Sequence, residues 1–371
     1  MNSPNTTECF LEKMVESISI SATMDAKARD SYKSVGKWIG DGLDKYQVVI
    51  MPQGSFNLGT VIKPISEEDD YDIDLVCLLA QGGKYGLSDS EIKNCVGERL
   101  KESERYKNKL EEEGKRCWTL GYEEFHMDIL PCIPQGEYFS QKEHKTNIHL
   151  THKLDSGKYI PTYSNPEGYL EWFEMRMRDT LLTAKTNMMR VRACAKIEDV
   201  PTYSIKTPLQ KVVQLLKRHR DIMFKDNDEN APISIIITTL AAKAYSGETS
   251  LLQALTNVVE HLNEGILCIN GQYIVENPAY LGENFAEKWV NCPAKATAYF
   301  NWQKTLKADV ELLNSHNLLC YRNKFCHCFG EKPVTTALNA VYPNGPGVTV
   351  VASPQHNVNI TKPNRPWGDI F

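Results

Sequence analysis

Apolar residues recur at helical spacing over residues 3–43, at Leu11, Met14, Val15 and Ile18 and again at Val35, Trp38, Ile39 and Leu43, and predict helix there. A short run, Gln47-Val-Val-Ile-Met51, predicts a buried strand that stops at Pro52 and Gly54. Residues 71–79 form a second, stronger strand signal, aliphatic except for two aspartates two positions apart, closed by Gly82-Gly83. Residues 88–115 are highly charged, with a thin stripe of Ile92, Val96, Leu100, Tyr106 and Leu110 that predicts one or two amphipathic surface helices. Strand character returns over residues 117–130 and ends at Pro131 and Pro134. From Asn165 the pattern turns mainly helical, over 166–192, 207–224, 233–245, 251–262, 285–290 and 294–313. The expected class is α+β: an α/β lobe with an N-terminal bracing helix (residues 1–160), then a helical lobe (161–342). Five prolines and three glycines from Pro343 onward predict an extended or mobile tail over 343–371.

Composition narrows the function classes. The 371 residues carry 42 Lys+Arg against 47 Asp+Glu, a formal charge of −5, so a stable complex with duplex nucleic acid is not expected. No apolar run approaches a membrane span and no signal-peptide order opens the chain, which points to a cytoplasmic protein without a membrane partner. Eleven cysteines without a C-x-x-C pair read as reduced thiols. The charge is uneven: residues 176–220 hold eleven Lys/Arg and three acids, or +8, leaving −13 for the rest. Such a segment is either a solvated face or one wall of a cleft whose other wall is acidic.

The acidic wall has a candidate. A strand sends alternate side chains to one face, so Asp72 and Asp74 point together while Ile73 and Leu75 enter the core. Asp128, on a second strand flanked by Met127 and Ile129, supplies a third carboxylate. Neighbouring carboxylates in so apolar a setting repel unless a cation bridges them. Three hard oxygen donors suit Mg²⁺ or Mn²⁺ rather than Zn²⁺, and two such ions serve phosphoryl or nucleotidyl transfer. Eighteen residues upstream, Gly54-Ser55 follows a strand, where free N–H groups and a hydroxyl would cradle phosphate.

In this order the segments Gln53-Gly-Ser-Phe-Asn-Leu-Gly-Thr60, Asp72-Ile-Asp74, His126-Met-Asp128-Ile-Leu-Pro131, Ser164-Asn-Pro-Glu-Gly-Tyr169, Leu215-Leu-Lys217-Arg-His-Arg220 and Glu283-Asn-Phe-Ala-Glu-Lys-Trp289 resemble the polymerase-β-like nucleotidyltransferases. They are most similar to the bacterial cGAS/DncV-like enzymes (CD-NTases), the oligonucleotide cyclases of CBASS antiphage defence. The resemblance spans about residues 50–330 and implies a nucleotidyltransferase lobe joined to a helical lobe, with the active site in the cleft between. It implies that Gly54 and Ser55 bind the triphosphate of NTP substrates, that Asp72, Asp74 and Asp128 hold two metal ions, and that Lys217 reaches donor phosphates. Thr207-Pro208 is a sound start for that lysine's helix, with Leu209, Val212, Val213 and Leu216 as its buried stripe. Ser234-Ile235 falls where relatives often carry a Ser-Tyr pair that stacks on a base; here the aromatic is absent, which leaves base selection open.

The implied product is a cyclic di- or trinucleotide second messenger sensed by an effector protein. The alternatives are a transferase of the same fold that acts on RNA, protein or a small molecule or makes linear oligonucleotides, and a non-catalytic nucleotide-binding homologue. A mobile C-terminus ending Trp367-Gly-Asp-Ile-Phe371 would suit a ubiquitin-transfer-like partner. His316, Cys320, Cys326, His327 and Cys328 invite a zinc reading, but adjacent ligands at 326–328 do not easily reach one tetrahedral ion, so a core helix end is the expectation there.

Overall fold

A computed structural model describes residues 4–66, 70–135, 146–183, 185–186 and 206–343. The expectations for the C-terminal tail, and for Arg190, Arg192 and Lys196 of the basic segment, lie outside the described residues. The elements are α1 (Pro4–Ile18), α2 (Ala22–Gly42), β1 (Val48–Gln53), α3 (Gly54–Leu58), β2 (Tyr71–Leu79), α4 (Asp89–Lys101), α5 (Glu104–Lys107), β3 (Trp118–Gly121), β4 (Phe125–Pro134), β5 (Ile148–Lys153), β6 (Tyr159–Ser164), α6 (Pro166–Arg176), α7 (Pro208–Met223), α8 (Ser234–Ala244), α9 (Leu251–His261), the hairpin β7 (Leu267–Ile269) and β8 (Gln272–Ile274), α10 (Lys288–Asn291), α11 (Pro293–Asn314), α12 (Arg322–Phe329) and α13 (Glu331–Val341).

The helix expected over 3–43 is two helices, broken where Ser19–Ser21 intervenes and the Ser21 hydroxyl accepts from Met24 N–H as an N-cap. The break matters, because α1 and α2 bury different faces against different cores. Phe10, Leu11, Met14, Val15 and Ile18 of α1 join the helical core with α7, α8, α9 and α11, whereas Ala28, Val35 and Ile39 of α2 pack on the sheet. Strand β1 runs through Pro52 rather than stopping there; it is an edge strand, where a missing N–H costs no ladder bond on the open side. Strands β5 and β6 and the β7–β8 hairpin carry no strong run in the sequence and were not foreseen. The helix expected over 285–290 is only the short α10.

The main sheet runs β1-β2-β4-β5-β6, with β3 on the same edge of β4 ahead of β5. Its one parallel pair, β2 with β4, sets the register that matters. One face (Ile73, Leu75, Cys77, Met127, Ile129, Trp118) packs under α2 and α4. The other carries Val76, Leu78, Leu130, Cys132, Ile148 and Leu150 and, toward the start of β2, the aspartates. Alternation along two strands therefore fixes which face is chemical.

The histidine–cysteine segment behaves as a helix end. Cys328 is buried, His316 bonds Thr7 Oγ1, and Cys320 is exposed. Cys328 instead meets His219 of α7 and Asp309 of α11, with their ligand atoms within 4.8 Å of one another. Trp302 Nε1 sits 3.1 Å from His219 Nδ1, and an indole N–H only donates, so Nδ1 accepts and Nε2–H points at Asp309 Oδ2, 3.1 Å away. A metal on Nε2 would force a hydrogen onto Nδ1, against the indole N–H. Asp309 also accepts from Cys328 Sγ and pairs with Lys324 Nζ at 2.9 Å. Burial works against its charge, yet the bonds from His219, Cys328 and Lys324 hold the carboxyl down to about 2. The cluster is a helix clamp. Asp309→Ala, which strands the buried donors of His219 and Cys328, is expected to cost about 3 kcal/mol in denaturant unfolding, and adding Zn²⁺ to the wild type should leave the midpoint unmoved.

Candidate active site

The β1-β2-β4-β3 register lays four side chains in one row across the sheet: Gln53 opposite Asp74, Asp74 opposite Asp128, Asp128 opposite Thr119. Asp72 sits one step along the same face, opposite His126, whose Nε2 lies 3.0 Å from Glu111 Oε1. Asp74 and Asp128 are almost wholly buried, and Thr119 Oγ1 donates to Asp128 Oδ1 at 2.5 Å. Neither oxygen of Asp74 has a hydrogen-bond partner among the described residues. Burial, then Asp128, then Asp72 push its carboxyl well above the usual range, opposed by Lys217. A buried carboxylate whose neighbours are carboxylates could hold a cation, and hard oxygen donors would suit a hard ion.

Helix α3 begins directly at Gly54, whose φ is +62°. A Cβ there would overlap the Asp74 carboxylate, so glycine is required at 54 by the aspartate beneath it as well as by its backbone conformation. Ser55 follows, half-buried, and its carbonyl accepts from Thr60 N–H at 2.9 Å. Phe56 packs in the sheet core and Leu58 in the helical core, so this one turn is held from both sides.

Helix α7 starts at a capping box of Thr207 and Gln210 with Pro208 at its first position, and its apolar stripe is buried as expected. Its other face reads backbone carbonyls of the loop after α3. Gln210 Nε2 donates to Leu58 O (2.9 Å), Lys217 Nζ to Thr60 O (3.1 Å), Gln214 Nε2 to Val61 O (2.6 Å), and Arg218 Nη2 to Lys63 O (2.6 Å) and Pro64 O (3.3 Å). Lys217 is thus a buried lysine. Burial and then Arg220 push its amine down to about 8, against the pull of Asp221, Asp72 and Asp74. The structure brings Lys217 and the carboxylates into one electrostatic unit.

Ser234 opens α8, its Oγ accepting from Arg220 Nη2 at 3.2 Å. Ile235 lines a recess with Gln53, Gly54, Asn57, Tyr169 and Phe285. The aromatic rings that line this recess, Tyr169 and Phe285, come from α6 and from the segment before α10. The basic segment is an open face only in part where it is described: Arg178 and Lys185 are exposed, but Arg176 donates to Ala242, Lys243 and Tyr245 carbonyls, Lys206 to Ser19, and Lys211 pairs with Glu12 at 2.7 Å. Sequence reasoning missed Gln53, Thr119, Gln210 and Gln214. The last two were visible as amides on an otherwise apolar or cationic helix, while Gln53 and Thr119 needed the strand register.

Comparison with known proteins agrees with this fold. The family profile described as Cyclic GMP-AMP synthase DncV-like, nucleotidyltransferase domain, matches residues 48–131, from β1 to Pro131 of β4. A c-di-GMP synthase of Roseivirga ehrenbergii is 30% identical over 91% of this chain and 88% of its own. The chain belongs to the cGAS/DncV-like nucleotidyltransferases. Cyclic dinucleotide synthase CdnG of Bradyrhizobium diazoefficiens is 25% identical over 90% of this chain and 82% of its own. The solved structure of that CD-NTase in complex with GTP superposes with a TM-score of 0.69 at 21% identity, covering 90% and 98% of the two chains. Like its relatives, this CD-NTase is a mixed α+β nucleotidyltransferase whose family uses NTPs and a divalent metal. Among the described residues no helix is long and apolar enough to cross a membrane.

The raised Asp74 carboxyl makes a signed prediction for the metal-free enzyme. A folded-state pKa above the unfolded value gives stability that is complete below about pH 4 and is lost as pH rises through the folded value. Asp74→Asn removes that loss. In EDTA, the melting temperature of the wild type should fall on going from pH 5 to pH 8, and that of Asp74→Asn should stay flat and lie a few degrees higher at pH 8. Mn²⁺ should raise only the wild-type value.

Proposed function

We propose that this CD-NTase joins nucleoside triphosphates, GTP among them, into a cyclic dinucleotide with release of pyrophosphate, for signalling to a product-sensing effector in CBASS antiphage defence. The observation that carries the reading is Asp74: a buried carboxyl with no hydrogen-bond partner, opposite Asp128 and directly under Gly54. A protein that only bound nucleotide would gain by replacing it. The c-di-GMP synthase at 30% identity and the GTP complex of CdnG support guanosine as one of the bases.

In this reading Asp72, Asp74 and Asp128 hold Mg²⁺ or Mn²⁺. When bound, such ions supply Lewis acidity toward the α-phosphate and lower the pKa of the attacking hydroxyl. The rest falls to the chain's own groups. Thr119 orients Asp128 through its hydroxyl, so the carboxylate keeps one oxygen directed along the row. Gly54 and Ser55 receive the triphosphate, and Lys217, buried between lobes, moves its amine from the Thr60 carbonyl to a phosphate oxygen. Tyr169, Ile235 and Phe285 give the recess an apolar wall against which a base excludes water. A 2′- or 3′-hydroxyl of one nucleotide then attacks the α-phosphate of another, and a second round closes the ring. We take the sheet with α2–α5 as the nucleotidyltransferase lobe and α6–α13 as the helical lobe, to which α1 adds through its core contacts.

The test uses purified protein with all four NTPs, one α-³²P-labelled at a time, in Mg²⁺ or Mn²⁺, followed by phosphatase. A phosphatase-resistant product labelled from GTP, absent with the Asp72→Ala/Asp74→Ala double variant, is expected. Pyrophosphate release only on adding RNA or a protein acceptor would favour a transferase instead. Lys217→Met should raise the KM for NTP about tenfold to a hundredfold, the size of a lost charged hydrogen bond, while the protein still folds.

A further inference from the structure

Gln214 has no role in the chemistry above, yet it is wholly buried on a helix whose neighbours Val212, Val213, Leu215 and Leu216 are core residues. A leucine would fit such a place without any polar group to satisfy. The amide is in fact only half satisfied. Its Nε2 donates to Val61 O at 2.6 Å and to Ser19 Oγ at 3.3 Å, while its Oε1 is buried with no partner among the described residues. Turning the amide over would set oxygen against the Val61 carbonyl, so the donor end determines its orientation. Leaving a buried acceptor unmade is unfavourable, and the residue that tolerates it is held there by what the donor does.

What the donor reaches is the meeting point of three parts of the chain. Ser19 is the break between α1 and α2; its hydroxyl donates to Val15 O and also accepts from Lys206 Nζ at 2.8 Å. Ser19 pairs with Ile62, and Lys63 N–H donates to Ile18 O at 2.7 Å. Val61 follows Thr60, whose N–H closes on Ser55 O. One amide on α7 therefore ties the helical core, the α1–α2 break and the turn that carries Gly54 and Ser55.

We propose that Gln214 is a positioning residue: it fixes the 59–64 loop, and through it the Gly54-Ser55 turn, against the helix that carries Lys217, so that groups on two lobes face one nucleotide in both rounds of transfer. The product arm of its test rests on the cyclase reading; the exchange arm does not. Gln214→Met keeps the volume and removes the donor, and Val213→Ala, a core change one residue away, controls for lost stability. By hydrogen exchange, the Thr60 and Lys63 amides should exchange about tenfold faster in Gln214→Met than in wild type and stay near wild type in Val213→Ala. With NTPs, Gln214→Met should release several-fold more linear intermediate per cyclic product. That ratio does not depend on how much of the enzyme is active, and Val213→Ala should leave it unchanged. Unchanged exchange at those amides in Gln214→Met, or an equal rise in Val213→Ala, overturns the proposal. If the wild type makes no oligonucleotide, the cyclase reading falls, and the exchange result still decides whether Gln214 holds the loop.

Discussion

The constraint on which this protein's chemistry depends is the pairing of β2 with β4, the parallel pair that sets Asp74 directly across from Asp128. A slip of one residue would turn the aspartates into the core under α2 and α4 and bring Ile73 and Leu75 into the cleft. The apolar face prevents that slip: Ile73, Leu75, Met127 and Ile129 are each at most 1% exposed, and their burial sets the register that the carboxylates oppose. Repulsion is thus stored in the site by packing on the opposite side of the same two strands.

Once that register is set, the rest of the site follows by contact. Asp74 makes glycine necessary at 54, and glycine at 54 lets β1 turn straight into α3. The turn in turn leaves a loop of free carbonyls, which one face of α7 satisfies with two amides, a lysine and an arginine. Lys217 is buried because it belongs to this row, and its depressed amine is a consequence of position rather than a separate device.

How much of this was legible in the sequence depends on range. Period-2 alternation placed Asp72, Asp74 and Asp128 on the chemical face, and the period-3.6 stripe of Leu209, Val212, Val213 and Leu216 located α7, because both patterns are local consequences of burial. Strands β5 and β6 were illegible: Ile148-His-Leu-Thr-His-Lys153 loses its apolar–polar alternation after Thr151, Tyr159-Ile-Pro-Thr-Tyr-Ser164 has none and contains a proline, and they form because β4 offers β5 an edge and β5 offers one to β6. The break at Ser19 was hidden because both flanking segments are helical. The basic segment could be read only as far as its two alternatives, and its described residues divide between them: Arg178 and Lys185 are exposed, while Lys217 lies within the field of Asp72 and Asp74. Charge counted along a chain says nothing of whether an arginine meets solvent or, like Arg176 and Arg218, a row of carbonyls.

The same contacts argue that the two cores are not independent. Five carbonyl oxygens between Leu58 and Pro64 take their partners from α7, and Leu58 and Ile62 bury their side chains in the helical core. Without α7 those oxygens would turn to water, and the loop behind Gly54 and Ser55 would lose both its polar and its apolar anchors. The sheet supplies the carboxylates, and the helical part holds the loop behind Gly54 and Ser55 in place beside them. A nucleotide bound in the cleft would therefore touch residues whose positions each lobe sets for the other, which is how a single site can keep hold of an intermediate between two successive transfers.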